Sequence, residues 1–238
     1  MAREIELKLA VPDAALAAVA AWLDANGQPR GETTLLNVYL DTPDRDLARA
    51  RAALRLRKKG AQWLQTLKTA GSSAGGLASR HEWETEVVGQ ALDLARFPDE
   101  ARKVLAPLAG KLAPVFRTDF VRRIWIVEQD GVCIEAALDT GTITAPGTDK
   151  SEHIQELELE WLPGDLPANE SPIHAKADGG AKDRANAKTS DQTADSANVR
   201  VEAALRAFGR RLAHVAPLTP SDLSKAARGY RLTGGQLL

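Results

Sequence analysis

Glu4-Ile5-Glu6-Leu7-Lys8 and, far downstream, Glu156-Leu157-Glu158-Leu159-Glu160 are the stretches that decide how this chain folds. In both, aliphatic residues alternate strictly with charged ones, the period-two pattern of a β-strand. Alternation places Glu4, Glu6 and Lys8 on one strand face, and Glu156, Glu158 and Glu160 on one face of the other. On a half-buried sheet such a face simply meets water. Turned inward, the same carboxylates and lysine would suit a divalent cation and a polyphosphate. The fold therefore turns on which face looks inside.

The pattern recurs along the chain. Strands are predicted at Leu35–Asp41, Ala53–Lys58, Gln62–Lys68 and Ser79–Val88. A long hairpin follows, Val115–Glu128 turning at Asp130-Gly131 into Val132–Thr144, and the last strand is Ile154–Leu162. With the first strand these make eight, the number that closes a small barrel with room for one ligand. Opposite the apolar positions stand Glu4, Glu6, Lys8, Tyr39, Asp41, Arg55, Arg57, Lys68, Arg80, Glu82, Glu84, Glu135, Asp139, Glu156, Glu158 and Glu160. Neutral polar filler is scarce among them.

Amphipathic helices are predicted near residues 12–25, 98–108 and 200–212; Leu16, Val19 and Leu23 form one stripe, and Val201, Leu205, Phe208 and Leu212 another. These stripes need an apolar sheet face to cover. If the helices clothe the outside, the charged faces line the interior. Unpaired buried charges cost several kcal/mol each, so such an interior is expected to be wet and filled with ions. The expected class is α+β: an eight-stranded antiparallel β-barrel, or tunnel, with a charged interior and helices packed outside. Gly71–Gly76 reads as a flexible loop, and a short last helix is predicted to open at Pro220-Ser221-Asp222 and stop at Gly229. Residues 167–198, poor in large aliphatic side chains, read as a disordered insertion in a single domain spanning 1–238.

Composition narrows the function. The formal net charge is −1, which gives no global pull toward nucleic acid or an anionic membrane. A lone cysteine, Cys133, excludes an internal disulfide and a cysteine-rich zinc site. No apolar run is long enough to span a bilayer, and the N-terminus reads as a strand rather than a basic-then-apolar leader. The expected location is cytoplasmic.

The ordered set of motifs resembles the CYTH superfamily, the triphosphate tunnel metalloenzymes. Glu4-x-Glu6-x-Lys8 resembles its ExExK signature. The likeness continues through Tyr39-Leu40-Asp41-Thr42-Pro43, Leu54-Arg55-Leu56-Arg57, Thr66-Leu67-Lys68, Arg80-x-Glu82, Thr118-Asp119-Phe120-x-Arg122, Glu135 to Gly141, Glu156 to Glu160 and Ser224 to Tyr230. It is nearest to the CYTH half of bacterial inorganic triphosphatases. The resemblance implies hydrolysis of triphosphates, inorganic triphosphate first, with Mg2+ or Mn2+ as cofactor. It implies metal ligation by Glu4, Glu6, Asp139, Glu156 and Glu158, and phosphate binding by Lys8, Arg55, Arg57, Lys68, Arg122 and Lys225. Glu4, Glu6 and Lys8 would then form the catalytic core. Rival readings are an adenylate cyclase, a thiamine triphosphatase and a non-catalytic polyphosphate-binding module, because a charged tunnel reads phosphates rather than the group attached to them.

Overall fold

In the computed structural model, which describes residues 2–163 and 186–234, the first strand pairs on both of its edges. The strands are β1 (Ala2–Ala10), β2 (Gln28–Asp41), β3 (Ala53–Lys59), β4 (Gln62–Lys68), β5 (Ser72–Ala74), β6 (Leu77–Val87), β7 (Ala113–Gln129), β8 (Val132–Thr144), β9 (Ser151–Trp161) and β10 (Thr219–Pro220). β1 joins β9 on one side and β6 on the other, which closes the antiparallel order β1-β9-β8-β7-β2-β3-β4-β6 into an eight-stranded barrel. The short β5 and β10 are appended to β6 and β1. Closure leaves the eight main strands without a free edge.

The helices are α1 (Leu16–Asn26), α2 (Asp46–Arg49), α3 (Asp99–Leu105), α4 (Asn186–Ala213) and α5 (Lys225–Leu232). Outward-facing Ile5, Leu7 and Leu9 of β1 and Leu157 and Leu159 of β9 pack with Val19 and Leu23 of α1 and Val201, Leu205, Phe208 and Leu212 of α4. On another side Leu54, Leu56 and Leu67 meet Leu47 of α2, Ala101 and Leu105 of α3, and Phe97 just before α3. Each such side chain withdrawn from water contributes roughly 1.5–3 kcal/mol. These contacts fix the sense of every strand: with aliphatic residues held by the helices, the alternating charged residues must point into the bore.

The helix α5 behaves differently. Its Ala226 and Tyr230 pack on the inward-facing Tyr39, Phe116, Ile143 and Ile154 and close one end of the barrel. Ser224 caps it by accepting a hydrogen bond from the amide of Ala227 at 3.1 Å. The helix thus starts after the predicted Pro220-Ser221-Asp222, whose first residues pair with β1 instead. Gly229, the expected stop, sits inside it; a Cβ there would lie 2.2 Å from the ring of Phe116. A close approach, and no chain reversal, explains that glycine.

Three other boundaries differ from expectation. β2 begins at Gln28, well before Leu35, because its pairing with the long β7 carries it through a bulge at Pro29–Gly31. The glycine-rich loop contains β5 and a tight turn in which Gly75 and Gly76 both take positive φ. α4 begins at Asn186, within the stretch read as disordered, while residues 167–185 of that stretch lie outside the described residues.

Candidate active site: a charged bore

Cross-strand register places opposite charges side by side. Lys8 faces Glu158 across β1 and β9, Glu4 faces Arg80 across β1 and β6, Lys68 faces Glu82 across β4 and β6, and Arg122 faces Asp139 across β7 and β8. The bore they line encloses a cavity of about 530 Å³. Glu4, Glu6, Lys8, Arg57, Asp139, Glu156 and Lys225 are all buried.

One group of ions is an acidic nest. Asp139, Glu156 and Glu158 each offer an oxygen, and these oxygens lie within 4.8 Å of one another. The Lys225 ammonium sits among them, 2.6 Å from Asp139 Oδ2, 2.5 Å from Glu156 Oε1 and 2.9 Å from Glu158 Oε1. Arg122 grips Asp139 with a two-pronged fork, both bonds at 2.7 Å, and also reaches Glu158. Arg228 donates to the far oxygen of Glu156 at 3.0 Å. Burial works against the charge of Glu158, yet Lys225, Arg122 and Lys8 hold its carboxyl well below the usual range.

The second group lies along β1 and β6. Lys68 bonds Glu4 at 2.6 Å and Glu82 at 2.9 Å, and Arg80 bonds Glu6 at 2.7 Å. Among the described residues Glu4 Oε2 makes no hydrogen bond, and Arg80 Nε lies 3.5 Å from it. Lys8 joins the two groups, lying 3.9 Å from Glu6 and 3.5 Å from Glu158. Glu160 ends this row. Burial and then the charge of Glu4 push its carboxyl up to about 8.

The third group is cationic. Arg55 donates to Thr66 Oγ1 at 3.3 Å and stands 3.6 Å from Glu84. Arg57 donates to the side-chain oxygen of Asn37 at 2.7 Å, and Asn37 in turn donates to the carbonyl of Thr118 at 2.6 Å. A neutral amide is a weak partner for a buried guanidinium. Burial first, then repulsion from Arg55 and Arg122, lower the pKa of Arg57 to about 9. Tyr39, stacked on Phe116 at 4.5 Å, has its hydroxyl between these arginines; burial opposes its ionisation, but Arg55 and Arg57 make it more acidic than an ordinary tyrosine.

All eleven residues singled out in the sequence thus reach the bore or the nest beside it. The five expected metal ligands divide, however, into Asp139, Glu156 and Glu158 on one side of Lys8 and Glu4 and Glu6 on the other. An all-oxygen donor set that already surrounds one cation suits a hard divalent ion. Sequence reasoning did not assign Arg80 or Arg228. Arg80 shared the charged alternation of its strand. Arg228 lies three residues after Lys225, a spacing that puts two helical side chains on one face.

Comparisons with known proteins agree with this geometry. The profile of the CYTH domain matches residues 2–167. The chain belongs to the CYTH domain family. A curated relative, the inorganic triphosphatase of Haemophilus influenzae, is 33% identical over 172 residues, covering 70% of this chain and 47% of the relative. The chain therefore spans about half the length of that relative. Among solved structures, a putative adenylyl cyclase from Hippeastrum with a dominant triphosphatase activity superposes with a TM-score of 0.59 at 19% identity, over 98% of this chain and 96% of that one. A putative adenylate cyclase from Vibrio parahaemolyticus gives 0.53 at 16% identity, over 94% and 95%. These two share the fold.

Proposed function

We propose that this chain is a divalent-metal-dependent hydrolase of triphosphates that splits inorganic triphosphate into pyrophosphate and phosphate. The observation that carries the reading is a cavity whose wall joins a cationic group, Arg55 and Arg57, to the carboxylates of Glu4, Glu6 and Glu158. The 33% identity to an inorganic triphosphatase supports the same activity. A non-catalytic binder would need cations alone.

In this reading Glu4, Glu6, Asp139, Glu156 and Glu158 hold Mg2+ or Mn2+. The bound ion would neutralise phosphate oxygens and lower the pKa of an attacking water. Lys8, Arg55, Arg57, Lys68, Arg122 and Lys225 bind the phosphates. At ~4 Å and an effective dielectric near 20, each opposite unit charge is worth on the order of 4 kcal/mol before desolvation. Arg57, whose hydrogen bond goes to the neutral Asn37 amide, would gain a charged partner in a phosphate oxygen. The arginine forks orient the chain of phosphates, and Tyr39 is placed to donate its hydrogen to one of them. Lys8, between both acidic groups, compensates charge on whichever side the substrate leaves bare. A cytoplasmic location is part of the proposal, supported by the single cysteine.

Phosphate release from inorganic triphosphate, ATP, thiamine triphosphate and pyrophosphate, each with Mg2+ and Mn2+, tests the proposal. Turnover is expected with inorganic triphosphate and to vanish with chelator. Binding without turnover of any substrate would replace the enzyme by a polyphosphate-binding module.

A further inference from the structure

The Lys225 ammonium stands where three carboxylate oxygens converge, at 2.5 to 2.9 Å from each. A divalent ion shared by the three inner oxygens would have to occupy the point where the ammonium stands. The backbone of α5 is pinned independently: Tyr230 donates to Asp41 at 2.8 Å, Arg228 to Glu152 at 2.6 Å, and Gly229 lies against Phe116. The side chain of Lys225, with four rotatable carbons, is then the part free to leave. It also lines the substrate cavity.

We propose that Lys225 is a built-in competitor of the divalent cation, occupying the nest at rest and swinging into the cavity when the ion enters. The inference rests on the metal requirement proposed above and deepens it. Exchange of one positive charge for two leaves the nest one unit more positive. The released ammonium adds another unit inside the cavity, where a polyanion would meet it. Loading of the cation would in this way prepare the site for triphosphate before the two ligands touch.

The test is Mn2+ binding to the intact chain without triphosphate, read by titration calorimetry and by loss of the free Mn2+ electron-spin signal. Lys225→Met should bind Mn2+ about tenfold or more tightly than wild type, because a cation no longer has to be displaced. Lys225→Arg, which keeps the charge, should show no such gain. At saturating Mn2+, Lys225→Met should bind triphosphate more weakly than wild type, because the released ammonium is missing from the cavity. Unchanged or weaker Mn2+ affinity in a folded Lys225→Met would overturn the proposal, as would the absence of Mn2+ binding in every form. Should Lys225→Met fail to fold, lysine ammonium NMR of the wild type decides: Mg2+ must shift or broaden the Lys225 signal, and a signal unmoved while calorimetry records binding contradicts displacement. Phosphate release by the wild type is measured alongside. Turnover without competition defeats only the displacement, and competition without turnover defeats only the hydrolase assignment.

Discussion

Tyr230 donates its phenolic hydrogen to Asp41 Oδ2 at 2.8 Å, which ties the last helix to the end of β2. The same carboxylate accepts from the amides of Thr42, Leu47 and Ala48, at 2.7, 2.9 and 3.0 Å, so one buried side chain organises α2 and anchors α5. Tyr230→Phe leaves Asp41 partly satisfied and should cost roughly 1–3 kcal/mol of stability. Urea denaturation of the metal-free protein would check it. An unchanged midpoint would mean that the hydroxyl is not an anchor.

Gly229 tests how closely α5 must seat. The Cβ of an alanine would fall 2.2 Å from Phe116, so the helix must shift or the ring must move. Gly229→Ala should destabilise by about 1–3 kcal/mol and, by dislodging Lys225, lower turnover. The comparison is with Gly209→Ala, whose Cβ meets the flexible tips of Leu7, at 2.9 Å, and Leu9, at 3.9 Å. Equal turnover in both would separate α5 seating from the chemistry.

Arg57 is a buried cation held by a neutral partner, which makes it costly without a ligand. Arg57→Met is expected to raise the stability of the ligand-free protein by about 1–3 kcal/mol. The same variant should lose most of the thermal shift that triphosphate gives the wild type. A full triphosphate shift in Arg57→Met would remove this residue from the binding wall.

Glu158 and Glu160 respond oppositely to pH. The pKa of Glu158 is depressed in the folded state, so its contribution is present above the unfolded value, about 4.3, and is lost as pH falls through the folded value. For Glu160 the folded value is raised to about 8. Folded protein then binds more protons than unfolded protein between about 4.3 and 8, and stability declines as pH rises through that window. In chelator, Glu160→Gln should be more stable than wild type at pH 9, by up to about 5 kcal/mol, and equal to it at pH 4. Equal melting temperatures at pH 9 would contradict the account of Glu160.

The eight strands and their inward faces were legible because alternation is a local signal, repeated wherever an outer helix supplies an apolar stripe. Glu4-Ile5-Glu6-Leu7-Lys8 carries both halves of that message. The partition of the carboxylates was not legible, since it depends on register: Lys8 opposite Glu158 and Asp139 opposite Glu156 are facts of pairing across strands. Nor was the early start of β2, whose exposed half is held by β7 rather than by its own pattern. Gly229 was misread because a glycine required by a neighbouring ring resembles, in sequence, a glycine that ends a helix. Asn37, a neutral residue on a strand, gave no sign that it supports Arg57.

Glu4→Gln and Glu6→Gln should each abolish metal-dependent phosphate release while leaving the thermal midpoint of the barrel within a few degrees of wild type. Their partners Lys68 and Arg80 retain other carboxylates, Glu82 for the first and Glu4 or Glu6 for the second. Wild-type rates in either variant would remove that residue from the metal-binding set.

The central claim is that triphosphate is held inside the bore by side chains from successive strands. A crystal structure with triphosphate and Mn2+, the metal placed by anomalous scattering, tests it most directly. The account predicts phosphate groups against Arg55, Arg57 and Lys68, with Mn2+ on the Asp139, Glu156 and Glu158 side or beside Glu4 and Glu6. Triphosphate on the outer surface of the barrel, with the bore keeping its internal ion pairs at saturating ligand, would contradict it.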